Sequence, residues 1–397
     1  MGEIAARSRF GKAFRPSRHG TDPHPSDRAR PECAELGRTS RRGFMAAVAG
    51  TAVGGASGLW TESAAAADAS PVAKGFQHLY QVMDQFTTGF DVYSDGSAAG
   101  NHYVPSGWMD DSGAIRLDDC STIQPRSGAT CIRIGFEARG RNWAGIYWQH
   151  PERNWGAVAD GGFDLRGARR LTFWARGEKG GEVIEFFVGG IGHVYPPVRY
   201  PDSLGKTSTG FVALSRAWRQ YTIDLAGKDL RRVVGGFGWV TSDDRNPTDA
   251  VFYLDDIRYD LARPNALRFL VSFRAEGRGE IDRMLVNPAF LYDNAVVLLA
   301  LLARGTGEDR RRARLIADAI VYAQNHDRHY RDGRLRNAYQ GGDLAHQSDG
   351  PARLPGFWDC ARQRWLEDRF HVSSHTGNLA WAAIALIAAA ERLAVPA

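Results

Sequence analysis

The chain has 397 residues, 43% hydrophobic and 24% charged. That balance fits two or three globular domains and excludes a wholly disordered chain, a multi-span membrane protein and a disulfide-dense mini-scaffold. Its formal charge of +5 is uneven: residues 1–67 carry +4 and the rest is nearly neutral, so no nucleic-acid surface is expected. The 45 Arg against 5 Lys match a GC-rich coding bias.

The charged N-terminal stretch is a targeting segment. Thr39-Ser40-Arg41-Arg42-Gly43-Phe44-Met45 is a twin-arginine pattern, and Ala64-Ala65-Ala66-Ala67 offers an A-x-A cleavage site ahead of Asp68. The weakly apolar stretch between them, Phe44 to Trp60, is 17 residues long, short for a bilayer span. Residues 1–67 are therefore read as a disordered extension and signal peptide. The product is expected to be secreted or periplasmic, with no stable membrane span after cleavage. Cys33 lies in this presequence. Cys120 and Cys131 either close a small disulfide loop or stay as buried thiols, Cys360 has no evident partner, and no C-x-x-C pair exists for a thiolate zinc site.

Residues 76–262 read as β-structure. Cys131–Phe136, Leu171–Ala175, Glu185–Val188, Tyr221–Leu225 and Val251–Leu254 are short aromatic or β-branched runs separated by Gly, Asn, Asp and Pro, the spacing of a β-sandwich. The region is rich in tryptophan. Strand alternation puts Trp143 and Tyr147 on one face, with Ile146 and Trp148 on the other. Most such rings belong in a core, but both faces of one strand cannot share it, so some ring is expected at the surface. The candidate ligand contacts are Trp143, Tyr147, Trp155 and Trp239, because an aromatic face stacks on the C–H face of a sugar ring. Asp255-Asp256 close an apolar strand, where they are either solvated, paired with Arg or bound to a cation such as calcium.

After Arg263-Pro264-Asn265 the period becomes helical. Leu291, Ala295, Leu298, Leu299 and Leu302 form one stripe, Thr306 caps a second helix carrying Leu315, Ile316, Ala319, Ile320 and Ala323, and a third, residues 377–394, is apolar nearly all round and expected to be buried. The Gly- and aromatic-rich stretch 328–375 between the last two is too long for an idle loop.

These residues carry two resemblances. Trp143–Trp148, Leu171–Gly177, Trp218–Leu225 and Tyr253–Ile257 resemble the galactose-binding-like jelly-roll modules of bacterial carbohydrate-active enzymes. That implies a carbohydrate partner and a structural calcium held by Asp255, with Asp95 as the early partner. Tyr292-Asp293-Asn294-Ala295, Gly333–Tyr339, Trp365–Asp368 and Ser374–Trp381 in residues 265–397 resemble the beginning of a six-hairpin (α/α)6 glycosidase-like domain, although only about three of its twelve helices are legible. The expected fold is a β-sandwich plus an all-α segment resembling an incomplete (α/α)6 barrel. The expected function is carbohydrate binding. The alternative is glycoside hydrolysis completed by further sequence or a partner chain, with Asp293, Glu367 and Asp368 as the candidate carboxylates. Wide apolar helix faces also make a homo-oligomer an expectation.

Overall fold

The computed structural model describes residues 70–394 apart from 141, 194–196, 276–278 and 345–349. Arg41-Arg42, the alanines at 64–67 and Cys33 lie outside the described residues. From Leu79 onward the chain forms one compact unit; residues 70–78, which hold the start of helix α1 (Pro71–Asp84), fall in another. The region expected to be β-structure from residue 76 thus opens on a helix.

Eleven strands follow among the described residues: β1 (Phe90–Tyr93), β2 (Val104–Asp110), β3 (Ile115–Ser121), β4 (Cys131–Phe136), β5 (Trp143–Gln149), β6 (Arg170–Gly177), β7 (Val183–Val188), β8 (Thr207–Ala213), β9 (Arg219–Asp224), β10 (Gly235–Ser242) and β11 (Ala250–Tyr259). One sheet runs β3-β4-β11-β6-β9 with β1 paired to the end of β11, the other β2-β5-β10-β7-β8, and all pairs are antiparallel. Apart from the β3-β4 and β7-β8 hairpins, successive strands change sheets, and the result is a β-sandwich.

Alternation fills the space between the sheets. Ile132, Ile134, Phe173, Phe252 and Leu254 come from one sheet, Ile146, Trp148, Phe186, Phe237 and Trp239 from the other. Rings meet across the gap, Phe173 lying 4.8 Å from Phe186 and Trp239 edge-on to Phe252 at 5.1 Å. Each buried ring of this size contributes about 1.5–3 kcal/mol.

The C-terminal part combines helices with short ladders. Its elements are β12 (Arg268–Phe269), α2 (Glu280–Leu285), β13 (Pro288–Phe290), α3 (Leu291–Arg304), α4 (Gly307–Asn325), β14 (Ala338–Gln340), β15 (Gly342–Asp343), β16 (Phe357–Asp359), β17 (Arg364–Leu366) and α5 (Thr376–Leu393). Helix α3 ends at Gly305, whose φ of 66° is the left-handed cap that favours glycine. Thr306 and Asp309 then form a capping box that starts α4. The long stretch before α5 is not a loop: β12 pairs β15, β13 pairs β14, and β16 pairs β17.

Helices α3, α4 and α5 pack on one another, but no ring of helical hairpins closes among the described residues. The expectation that the last helix is buried needs correction. In α5 only Ala382, Ala385 and Ala389 are buried, while Trp381, Ile384 and Ile387 stand 39%, 51% and 61% exposed. A helix that is apolar all round has two faces to cover, and here one row of alanines meets its neighbours.

Polar contacts join the ladders to the sandwich. Asp343 lies 2.7 Å from His102 Nε2 and accepts from Arg263 Nη1 at 3.0 Å and Arg353 Nη1 at 3.2 Å; Gln340 Nε2 donates to the Ala99 carbonyl and Asn287 Nδ2 to the Ser97 carbonyl. The His102, Arg263 and Arg353 contacts hold Asp343 well below the usual carboxylate range despite its burial.

Candidate functional site

An antiparallel sandwich sheet commonly buries one face and gives the other to water. The β2-β5-β10-β7-β8 sheet does not. Its outer face carries a second apolar cluster, in which Met109, Tyr147, Phe187, Ile191, Val234 and Val240 are buried and Trp143, Trp155 and Phe211 pack against them partly exposed. The alternation of β5 builds this directly: Trp143 and Tyr147 point outward while Ala144, Ile146 and Trp148 enter the inter-sheet core.

Glycine lets the rings lie down on the sheet. A Cβ at Gly238 would stand 2.5 Å from Phe187 Cε2, so only glycine on β10 leaves room for that ring. Tyr147 then meets Phe187 edge-on at 4.9 Å and Trp155 edge-on at 5.8 Å. Trp155 follows Asn154, whose Oδ1 accepts from the amides of Gly156 at 2.9 Å and Ala157 at 3.1 Å, an Asx turn that fixes the loop.

Charged groups frame the patch. Lys206 Nζ sits 4.7 Å from the Phe187 ring centroid and 2.9 Å from Glu185, and the Arg245 guanidinium lies 4.5 Å from the Phe211 centroid. Flat apolar faces beside hydrogen-bonding groups are what a sugar requires: C–H surface against π-face, hydroxyls against the rim.

The four expected ligand contacts divide accordingly. Trp143 and Trp155 present partly exposed rings on this face. Tyr147 is buried beneath them, its hydroxyl donating to the Gly189 carbonyl at 3.0 Å, and so supports the surface without forming it. Trp239 is a correction: it is fully buried between the sheets, because it pairs with Ile146 on β5 and shares that inward face. Phe187 and Phe211 were not singled out from the sequence. The adjacent pair Phe186-Phe187 held the clue, since neighbours on a strand face opposite ways.

The acids expected at a metal or catalytic centre have other partners. Asp255 is fully buried, and its carboxylate accepts from the amides of Arg126 at 2.8 Å, Ser127 at 3.3 Å and Asp256 at 2.9 Å. Burial and the Asp256 charge push it up to about 7 against the pull of those amides. Asp95 accepts from the amides of Ala129 and Thr130 and from the Thr130 hydroxyl. Both carboxylates are thus turned to N–H donors of the loop at 126–130, and Asp256 is paired with Arg126. No group of three or more His, Cys, Asp or Glu side chains suited to a metal ion occurs among the described residues.

Asp293, in the first turn of α3, is hydrogen-bonded to Ser272, and burial raises its pKa. Glu367 is held by Arg328, with Nη1 to Oε1 at 2.9 Å, while Asp368 caps the amides of Phe370 and His371. These contacts give the three carboxylates three separate settings. Cys120, Cys131 and Cys360 are free thiols, and Cys360 finds the partner the sequence did not reveal, Asp119 Oδ1 at 3.1 Å.

No family model matches the chain, and no curated protein matches it. Its likenesses are to solved structures. A family 30 carbohydrate-binding module is 14% identical, with 44% of this chain and 99% of that one covered at a TM-score of 0.31. The family 30 module of a cellulosomal cellulase of Clostridium thermocellum is 16% identical, with 43% and 96% covered at a TM-score of 0.31. The family 11 module of another cellulosomal cellulase of that organism is 9% identical, with 44% and 96% covered at a TM-score of 0.28. No helix among the described residues is long and apolar enough to cross a membrane.

Proposed function

We propose that this is an exported carbohydrate-binding protein that takes a poly- or oligosaccharide on the outer face of the β2-β5-β10-β7-β8 sheet. The supporting observation is the second aromatic cluster, on a face that the sandwich does not need for its own core. Trp143, Trp155 and Phe211 offer the stacking surface; Tyr147 and Phe187 hold it rigid from below. Rigid aromatic contacts cost little conformational entropy on binding. A glycan array probed with the full chain tests the reading. Retention on at least one class of polysaccharide is expected, and an array without a single neutral glycan bound would overturn it.

Export rests on the Arg41-Arg42 pattern. Arg41→Lys with Arg42→Lys is expected to leave the protein in the cytoplasm; unchanged export would refute the assignment. The hydrolytic alternative has one observation in its favour, the raised pKa of Asp293, a property useful to a general acid. It predicts release of reducing ends from a bound polysaccharide, lost in Asp293→Asn.

A further inference from the structure

The outer face of the five-stranded sheet has two chemically different parts. Trp143 and Trp155 are uncharged platforms. On the other side the rings are met by cations: Lys206 Nζ lies 4.7 Å from the Phe187 centroid and the Arg245 guanidinium 4.5 Å from that of Phe211. Tyr200 is met twice, with the guanidinium carbons of Arg199 at 5.2 Å and Arg232 at 5.4 Å from its ring centroid.

Tyr200 sits at the Trp155 end of the face. Its amide donates to the Gly156 carbonyl at 2.9 Å, one residue beyond Trp155. A Cβ at Gly156, whose φ is 89°, would stand 2.3 Å from Val198 Cγ2, so glycine lets the Trp155 loop lie against the segment at 198–200. Arg232 is fixed through its backbone: its amide donates to Ser203 Oγ at 3.1 Å, and its carbonyl accepts from the Ser203 amide at 2.8 Å. Arg199, Lys206 and Arg245 are exposed, and Tyr200 and Arg232 half-buried, so all of them reach water.

The charges on this side do not cancel. Lys206 is matched by Glu185 at 2.9 Å. Arg199, Arg232 and Arg245 have no ion-pair partner among the described residues. Asp202, close by in sequence, is buried, and its carboxylate accepts from the amides of Ile191, Val234 and Gly235. Asp243 and Asp244 precede Arg245, and Asp243 accepts from the Asn142 amide at 3.1 Å. A guanidinium over a ring gives its face to the π-cloud and keeps its N–H edge for an acceptor. A carboxylate meets that edge with two oxygens. An uncharged glycan leaves three such edges unused, whereas a glycan bearing carboxylates engages them.

On the reading that the outer sheet face holds a polysaccharide, we propose that its preferred ligand carries uronate units. Sugar rings stack on Trp143 and Trp155, a uronate carboxylate is held by the guanidinium groups at Tyr200, and Arg245 offers a further contact at Phe211. The test is isothermal titration of the full chain with glucuronoxylan and polygalacturonate, each native and after reduction of its carboxyl groups to alcohols, which keeps the chain of sugars and removes the charge. At low salt the wild type is expected to bind at least one native polymer about three- to tenfold more tightly than its reduced form. That ratio should fall towards one in about 0.5 M NaCl, and in Arg199→Gln with Arg232→Gln. Because the ratio is read within each variant, a partly unfolded sample does not imitate its loss. Trp143→Ala with Trp155→Ala should lose the native polymer as well. Equal binding of native and reduced polymers would overturn the uronate preference and leave the sheet-face reading standing. An unchanged ratio in the arginine variant, native binding that survives in the tryptophan variant through charge alone, or no binding to any of the four polymers would each overturn it too.

Discussion

In the sandwich, each sheet supplies the apolar face that the other lacks, and the outer side of one sheet carries a second cluster besides. In the helical part, α5 offers apolar residues in every direction, but only its Ala382, Ala385 and Ala389 are buried among the described residues. The contrast shows how two architectures use the same kind of residue. Two sheets close a core by themselves, whereas a helix that is apolar on more than one side needs a neighbour for each of those sides. Polar anchoring adds to the helical part: Asp309 at the head of α4 accepts from Arg304, Tyr80 and Thr306, and the buried pair Arg336–Asp327 ties α4's exit to the ladders.

The largest effect separating the two regions is expected from the inter-sheet core. Phe173→Ala removes a fully buried ring that touches Phe186 and Phe237 and should cost about 3–5 kcal/mol, read as a shift in the denaturation midpoint. A loss below about 1 kcal/mol would show that the sheets are not packed as described.

An intermediate effect is expected from the anchor. Burial alone would raise the pKa of Asp309, but the donations from Arg304, Tyr80 and Thr306 outweigh it and hold the carboxyl down at about 2. A carboxyl with a depressed folded-state pKa stabilises the fold above its unfolded value, near 4, and loses that contribution as pH falls through the folded value. Asp309→Asn should therefore cost about 2–3 kcal/mol at pH 7 and flatten the loss of stability between about pH 4 and 2. A variant as acid-sensitive as the wild type would place the sensitivity elsewhere.

The smallest effect is expected on α5. Ile387→Ser changes a mostly exposed side chain and should alter stability by no more than about 0.5 kcal/mol. A loss of 2 kcal/mol in the monomer would mean that this face is covered, and the contrast between the two regions would fail.

Much of the sandwich was legible because alternation is a local signal. Trp143–Trp148 gave its own two faces, and five of the strands stand where β-branched and aromatic runs were read. Strand β10 was missed because Gly235-Gly236-Phe237-Gly238 looks like punctuation. Those glycines serve packing: Gly238 makes room for Phe187, a demand set by another strand and invisible along the chain. Trp239 was misassigned for the same reason, since its face is decided by its register with β5. The capping box at Thr306 was readable residue by residue. A cavity lined by Ser97 and Trp358 was not, because it joins residues far apart in sequence that only the fold brings together.

The central claim, that the outer face of the five-stranded sheet holds carbohydrate, is tested most directly by affinity electrophoresis of the full chain through gels containing the polysaccharide found on the array. The wild type should be retarded, and Trp143→Ala with Trp155→Ala should migrate as it does in a gel without polysaccharide, with an unchanged melting temperature showing the fold intact. Equal retardation of the double variant and the wild type would contradict the account.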